Sequence, residues 1–281
     1  IRALGLLSAL GGLVPVVALV ASIPGSADLS WREWAGGDVA QASVDRDLKL
    51  SESIVADVYR PPTPGPHPYV VVVHGGSWRH GDKGEVSHVS HALANEGFVV
   101  VDVRYRLVPD ALFPAPIQDV QCALAQVQAR AQELGVDPGR GAVLGRSAGG
   151  QIALVAAYSL NRLPSSCAHT PLLPLKAVIS IYGPTDMAWA HDNPYFPDVV
   201  DGTQSIELYL GGPPSAAPDA YRQATPMSWF DKPVPPTLLI HGTFERCVRP
   251  ANPERLERAL KQAGQSVESL YLPFIDHGFD V

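Results

Sequence analysis

Short apolar runs alternate with longer, helix-like stretches over most of this chain, and that alternation limits its fold more than any other feature. Tyr69–Val73, Phe98–Val103, Gly141–Leu144, Ala177–Ile181, Thr237–Ile240 and Ser266–Leu272 read as strands. Most are continuous and rich in Val, Ile or Leu, as strands buried on both faces are. Gly84–Asn95, Pro116–Leu134, Ala148–Leu160 and Pro253–Ala263 fall between them and read as helices. Strand–helix alternation implies a mostly parallel sheet with right-handed crossovers and helices on both faces. Ahead of it, Ser43–Leu50 and Ile54–Tyr59 flank a Ser-Glu-Ser turn with the partial alternation of an antiparallel hairpin. At 281 residues and 46% hydrophobic, the chain has enough apolar surface for a large core.

One interval breaks the rhythm. Gly183 to Pro236 carries no clear strand, but it is rich in Pro, Asp and aromatic residues. A structureless loop of that length is unusual unless functional, so 183–236 is expected to be a cap or lid excursion between two strands. Trp189, Tyr195, Phe196, Tyr209 and Trp229 within it would line a pocket or form the small core of the lid.

Two glycine-rich strings carry the chemistry. Gly145-Arg146-Ser147-Ala148-Gly149 follows a strand and opens a helix, the G-x-S-x-G form of a nucleophile elbow. The serine of such a turn is strained, and glycines two residues away on either side relieve the crowding. About seventy residues earlier, His74-Gly75-Gly76-Ser77-Trp78 follows another strand. Gly75 and Gly76 let the backbone approach a carbonyl oxygen, and with the Ala148 N–H they make a candidate oxyanion hole. His74, at a strand end, reads as a brace for that loop.

A hydroxyl becomes a good nucleophile only when a base takes its proton, and a carboxylate must orient that base. An elbow serine is followed in the chain by its acid and then its histidine. Of nine histidines, His277 alone lies beyond the last strand. Glu245, in His241-Gly242-Thr243-Phe244-Glu245, is the preferred acid because it sits on a strand-end loop. Asp276 adjoins His277, so its side chain would diverge from the ring, and Asp186, Asp192, Asp198 and Asp201 lie in the lid interval.

Together with Arg79-His80-Gly81-Asp82-Lys83, Tyr105-Arg106-Leu107, Tyr182-Gly183-Pro184-Thr185-Asp186 and His277-Gly278-Phe279, these strings resemble the α/β-hydrolase superfamily. The likeness runs from about Leu48 to Val281, in the hormone-sensitive-lipase-like and feruloyl-esterase-like carboxylesterase branch. It implies an α/β-hydrolase fold and a carboxylic-ester hydrolase acting through an acyl-enzyme without a cofactor. In this scheme Ser147 is the nucleophile, His277 the base, and Gly75, Gly76 and Ala148 the oxyanion donors. The sequence departs from the family in two places. Glu245 stands where the family usually has Asp, and the chain stops four residues after His277, where the family has a final helix. Amide or formamide cleavage, peptide cleavage, and a non-catalytic binding role on the same scaffold are the competing readings.

The N-terminus is separate. Ala3 to Ile23 is uncharged, about 31 Å long as a helix, which matches a bilayer core, and Trp31 and Trp34 follow it. Residues 1–30 are therefore expected to form an apolar membrane segment, with a secretory signal as the alternative, ahead of a catalytic domain over 40–281. The net charge of −7, with no basic run, gives no reason to bind nucleic acid. The expected partner is a small-molecule ester, and oligomeric state is not legible. Cys122, Cys167 and Cys247 have no metal-ligand spacing and are odd in number. A bridge between Cys167 and Cys247 would span opposite ends of a parallel sheet, so all three read as free thiols. His88 and His91 share a helix face without an evident third metal ligand.

Overall fold

The computed structural model describes residues 41–163, 167, 171–195 and 200–280. The expected N-terminal membrane segment lies outside them, and among the described residues no helix is long and apolar enough to cross a membrane.

The elements follow the expected order. They are β1 (Ser43–Lys49), β2 (Val55–Arg60), β3 (His67–Val73), α1 (Ser87–Asn95), β4 (Val99–Val103), α2 (Ala115–Ala129), α3 (Ala131–Leu134), β5 (Val136–Arg146) and α4 (Ala148–Tyr158). After β6 (Ala177–Ile181) come α5 (Met187–Asp192), α6 (Gly202–Leu210), α7 (Pro218–Ala224) and a 3-10 turn (Pro226–Trp229). β7 (Thr237–Gly242), α8 (Ala251–Gln262) and β8 (Val267–Leu272) complete the series. Eight strands form one sheet in the order β1-β2-β4-β3-β5-β6-β7-β8. β1 and β2 pair antiparallel, β2 joins β4 antiparallel, and every later pairing is parallel.

The period-2 geometry of a strand divides the β-branched runs between two cores. Val71, Val73, Val101, Val143, Val178 and Leu239 face one side with α2, α4 and α8 residues such as Ile117, Ile152 and Leu256. Val70, Val72, Val100, Leu144, Ile179 and Ile240 face the other, against Val89 and Leu93 of α1. α4 is apolar all round and buried along its whole length, so the helix that follows Ser147 is fixed within the core.

Gly183–Pro236 contains helices that the sequence pattern did not announce, because α5 and α7 are only 6 and 7 residues long. This stretch packs onto the loops beyond the sheet. Tyr209 stacks on Trp78 at 4.8 Å between ring centroids. Its carbonyl accepts the Phe113 N–H (2.9 Å), while Gln151 Nε2 donates to the Ala224 carbonyl (2.8 Å).

The free-thiol reading fails for two of the three cysteines. Cys122 and Cys167 form a disulfide, with Cα atoms 5.2 Å apart. The partner of Cys167 is a helix, not the far end of the sheet. After α4 the chain turns back past α2, where Leu173 N–H donates to Gln128 Oε1 and Leu172 pairs with Asn161. A separation of 45 residues leaves no local pattern that would announce such a pair. Cys247 takes no part in the bridge.

Candidate active site

β5 runs through the middle of the sheet and delivers Ser147 at its C-terminal end. Ser147 has φ 51° and ψ −124°, in the region that side chains avoid, and its N–H is held by the Ile181 carbonyl at 2.9 Å. The flanking glycines make the turn possible. A Cβ at Gly145 would stand 2.0 Å from the Gly149 oxygen, and one at Gly149 would stand 2.2 Å from the His74 oxygen. Both obstacles are backbone atoms, which cannot swing aside.

The loop after β3 lies directly against this turn. A Cβ at Gly75 would meet the Ser147 Cβ at 3.2 Å. Gly76 has φ +106°, and its carbonyl accepts the Arg79 and His80 N–H groups at 2.9 Å, which coils the loop beside the elbow. Ala148 is buried at the first position of α4. Gly75 and Ala148 thus both lie beside Ser147, on the loop after β3 and at the start of α4. His74 does brace the loop. Its Nδ1–H donates to the Gly75 carbonyl (2.8 Å), and its ring stacks on Tyr105 at 4.1 Å. The Tyr105 hydroxyl donates to the His74 and Gly75 carbonyls, both at 3.2 Å. Burial pushes the His74 pKa down against the opposing Gly75 bond, so the ring is neutral at pH 7.

His277 arrives from the loop after β8, with Nε2 3.0 Å from Ser147 Oγ. Its Nδ1–H points at Glu245, 2.9 Å from each carboxylate oxygen. Because Nδ1 carries that proton, Nε2 presents a lone pair to the serine hydroxyl. Glu245 is buried, and its Oε1 also accepts the Cys247 and Val248 N–H groups at 2.7 and 3.0 Å. Burial alone would raise the Glu245 pKa. The His277 bond and the two backbone N–H groups outweigh it and hold the carboxyl below its usual range. The longer Glu side chain is accommodated because the 245–248 turn folds back onto it. His241 steadies that turn by donating from Nε2 to the Val248 carbonyl (2.8 Å).

The other acids are engaged elsewhere. Asp276 accepts the His277 and Arg246 N–H groups and pairs with the Arg246 guanidinium, away from the ring. Asp186 caps α5 and pairs with Arg255, and Asp192 bonds His191. Asp201 precedes α6, while Asp198 lies outside the described residues. His91 packs its ring edge against Tyr59. Glu245, Cys247 and His277 bring metal-type donor atoms within 4.8 Å of one another. Both His277 nitrogens already face Ser147 and Glu245.

A cavity of about 70 Å³ opens at Ser147 and His277, walled by Trp78, Trp189, Tyr195, Ile206 and Arg249. Trp189 and Tyr195 thus line the cleft. Tyr209 and Trp229 belong to the core, and Phe196 lies outside the described residues. Sequence reasoning gave no role to Tyr182, although it was quoted in a motif. Its backbone is strained (φ 42°), its N–H bonds the Ile240 carbonyl at 2.7 Å, and its ring lies 4.4 Å from His277.

The chain is similar to known esterases in sequence and fold. The BD-FAE family profile matches residues 56–260. Esterase LipC of Mycobacterium tuberculosis is 32% identical over 77% of this chain and 54% of its own length. The probable carboxylic ester hydrolase LipM of the same organism is 28% identical over 89% of this chain and 63% of its own. The chain thus spans under two thirds of either relative. Among solved structures, a bacterial heroin esterase superposes with a TM-score of 0.69 at 27% identity, over 87% of this chain and 79% of that one. A truncated carbohydrate esterase from gut microbiota has the same fold, with a TM-score of 0.74 at 22% identity over 87% of this chain and 92% of that one. The chain belongs to the BD-FAE family, in the carboxylesterase branch of the α/β-hydrolases.

Proposed function

We propose that this protein hydrolyses carboxylic esters of small acyl groups through an acyl-enzyme on Ser147. The observation that carries the reading is the unbroken relay from Ser147 Oγ to His277 Nε2 (3.0 Å) and from His277 Nδ1 to Glu245 (2.9 Å). Ser147 Oγ attacks the ester carbonyl carbon while His277 Nε2 takes its proton. Glu245 holds the ring in the required tautomer and stabilises the imidazolium that forms. The N–H groups of Gly75, Gly76 and Ala148 receive the oxyanion, and each such donor contributes about 2.7–4 kcal/mol to transition-state stabilisation. Collapse of the tetrahedral intermediate releases the alcohol, which takes its proton from His277. A water, deprotonated by the same nitrogen, then attacks the acyl-enzyme, and the acid leaves as Ser147 is reprotonated.

The preference for small acyl groups rests on the cavity of about 70 Å³, whose Trp78 and Trp189 walls would meet a long chain. The Cys122–Cys167 bridge supports a domain working in an oxidising compartment, outside the cytoplasm, with the N-terminal apolar run as its tether. Turnover of p-nitrophenyl acetate, butyrate and decanoate tests the proposal. Wild type should favour the two shorter esters, and Ser147→Ala should abolish turnover while the protein remains folded. Wild-type turnover in Ser147→Ala sinks the proposal.

A further inference from the structure

Beneath the site lies a buried knot of three side chains that the relay itself does not use. Arg146 immediately precedes Ser147, and Asp280 stands three residues after His277. The two approach within 3.4 Å, with only 8% and 10% of their side chains exposed. Arg146 Nε also donates to the Tyr182 hydroxyl (3.0 Å), which in turn donates to Asp280 Oδ1. The Tyr182 ring lies 4.4 Å from the His277 ring and 5.2 Å from Phe279. On its other side, Arg146 Nη1 lies 3.6 Å from Glu85, on the segment that follows the oxyanion loop.

We infer that Arg146, Tyr182 and Asp280 are positioning residues that set the distance between Ser147 and His277. The inference rests on the esterase reading of the same site. Arg146 is rigid because β5 carries it, and Tyr182 is rigid because its N–H is fixed to β7 through the Ile240 carbonyl. The loop bearing His277 emerges from the edge strand β8, and its backbone is tied before His277 by the Phe244 N–H, which donates to the Ile275 carbonyl (3.1 Å). Upstream of His277 it is tied by the Arg246–Asp276 pair, in which the arginine is 65% exposed. Downstream, Asp280 ties it into the sheet. An exposed pair contributes little, whereas a buried charge pair cannot lose one member without stranding the other. The downstream knot is therefore the stiffer tether. Tyr182 serves as its spacer, because one ring touches His277 while its hydroxyl bridges the two charges.

The test is a double-mutant cycle on the full chain with Arg146→Gln, Asp280→Asn and the pair combined. Each single change should lower kcat roughly 10- to 100-fold with KM within about twofold, as expected for a displacement near 1 Å. The double variant should lose no more than the worse single one, because either change releases the same tether. The far-downfield proton resonance of His277 Nδ1, shared with Glu245, should shift or broaden in Asp280→Asn. Tyr182→Phe keeps the ring and removes only the bridging hydroxyl. It should lower kcat by about 5- to 10-fold, and it supplies the result if a charge variant fails to fold. Leu134→Ala, in α3 at the opposite end of β5 from Ser147 and in the core that does not hold Tyr182, controls for general destabilisation by lowering Tm at unchanged kcat. Wild-type kcat and an unmoved resonance in folded Asp280→Asn or Tyr182→Phe would overturn the inference, as would losses that multiply in the double variant. The esterase reading can fail on its own. A wild type that neither turns over esters nor reacts with a fluorophosphonate, while the Nδ1 resonance still responds to Asp280→Asn, removes the function and keeps the tether.

Discussion

Ser147 and His277 meet at 3.0 Å, yet the fold delivers them by different means. Ser147 ends a central strand, and its surroundings are backbone: the Val73 and His74 carbonyls, the Gly149 carbonyl and the Ile181 bond. His277 follows the edge strand β8 in a half-buried loop, held by a backbone bond, from the Phe244 N–H to the Ile275 carbonyl, and by side-chain hydrogen bonds and ion pairs from Glu245, Asp276 and Asp280. Ser147 is fixed chiefly by excluded volume, whereas charge adds to the backbone packing that holds His277. Added volume should damage the first half, and lost charge or added salt the second.

The largest effect is expected where charge is removed from the base side. Glu245→Gln keeps the shape but sets an NH2 group among three donors, so His277 loses both its tautomer lock and its counter-charge. A fall in kcat of about 10⁴-fold is expected with a p-nitrophenyl ester. A loss below tenfold would show that Glu245 does not orient the base. On the elbow side the matching change is one of volume. A Cβ at Gly149 stands 2.2 Å from one carbonyl oxygen and 2.3 Å from another, so β3 or the elbow must move. Gly149→Ala should lower kcat about 10²-fold or more and cost roughly 1–3 kcal/mol of stability by urea denaturation. The two halves would not differ as described if Gly149→Ala were active, or if salt restored it.

That contrast also explains what was legible in the sequence. Excluded volume writes itself locally, because a turn that forbids a Cβ must carry glycine at fixed spacing. Gly145, Gly149, Gly75 and Gly76 could therefore be read directly, as could the strands whose Val and Ile runs fill two cores. Charge pairs leave no such trace. Arg146 and Asp280 are 134 residues apart, and neither has a periodic neighbour that points to the other. Cys122–Cys167 escaped for the same reason, since only the fold shows that the chain after α4 returns past α2. Glu245 was found by its place after a strand. The turn that makes a Glu fit there, with N–H groups from Cys247 and Val248, could not be seen from residue types alone.

A pH handle sharpens the comparison on the sheet-borne side. Asp102, at the end of β4, is fully buried and accepts the Gly84 N–H at 2.8 Å, below the segment that follows the oxyanion loop. Burial raises its pKa from 3.8 to about 7, against the Gly84 bond. Its folded-state pKa exceeds the unfolded one, so its contribution is complete below pH 3.8 and is lost as pH rises through about 7. Asp102→Asn stays neutral throughout. Its Tm relative to wild type should climb between about pH 4 and 7 and level off above that, by an amount worth roughly 4 kcal/mol. A Tm difference that stays flat with pH would mean that Asp102 is not held protonated. His74 and His241, both pushed down by burial, act in the opposite sense as pH falls, but they are common to both proteins and cancel.

The smallest effect is the most discriminating for the base side, because it separates its two tethers. Arg246 pairs with Asp276 in the open, with 65% and 31% of the side chains exposed, and solvent screening leaves such a pair little strength. Asp276 keeps its bond to the His277 N–H when the guanidinium is gone. Arg246→Ala should therefore lower kcat only about two- to fivefold. Wild type should show a similar loss in about 1 M salt, where screening acts over roughly 3 Å, and the variant should no longer respond to salt. Arg146 and Asp280 are shielded from the same ions, so the downstream tether should persist under those conditions. A 100-fold loss in Arg246→Ala would reverse the ranking, making the exposed pair the one that holds His277 against Ser147.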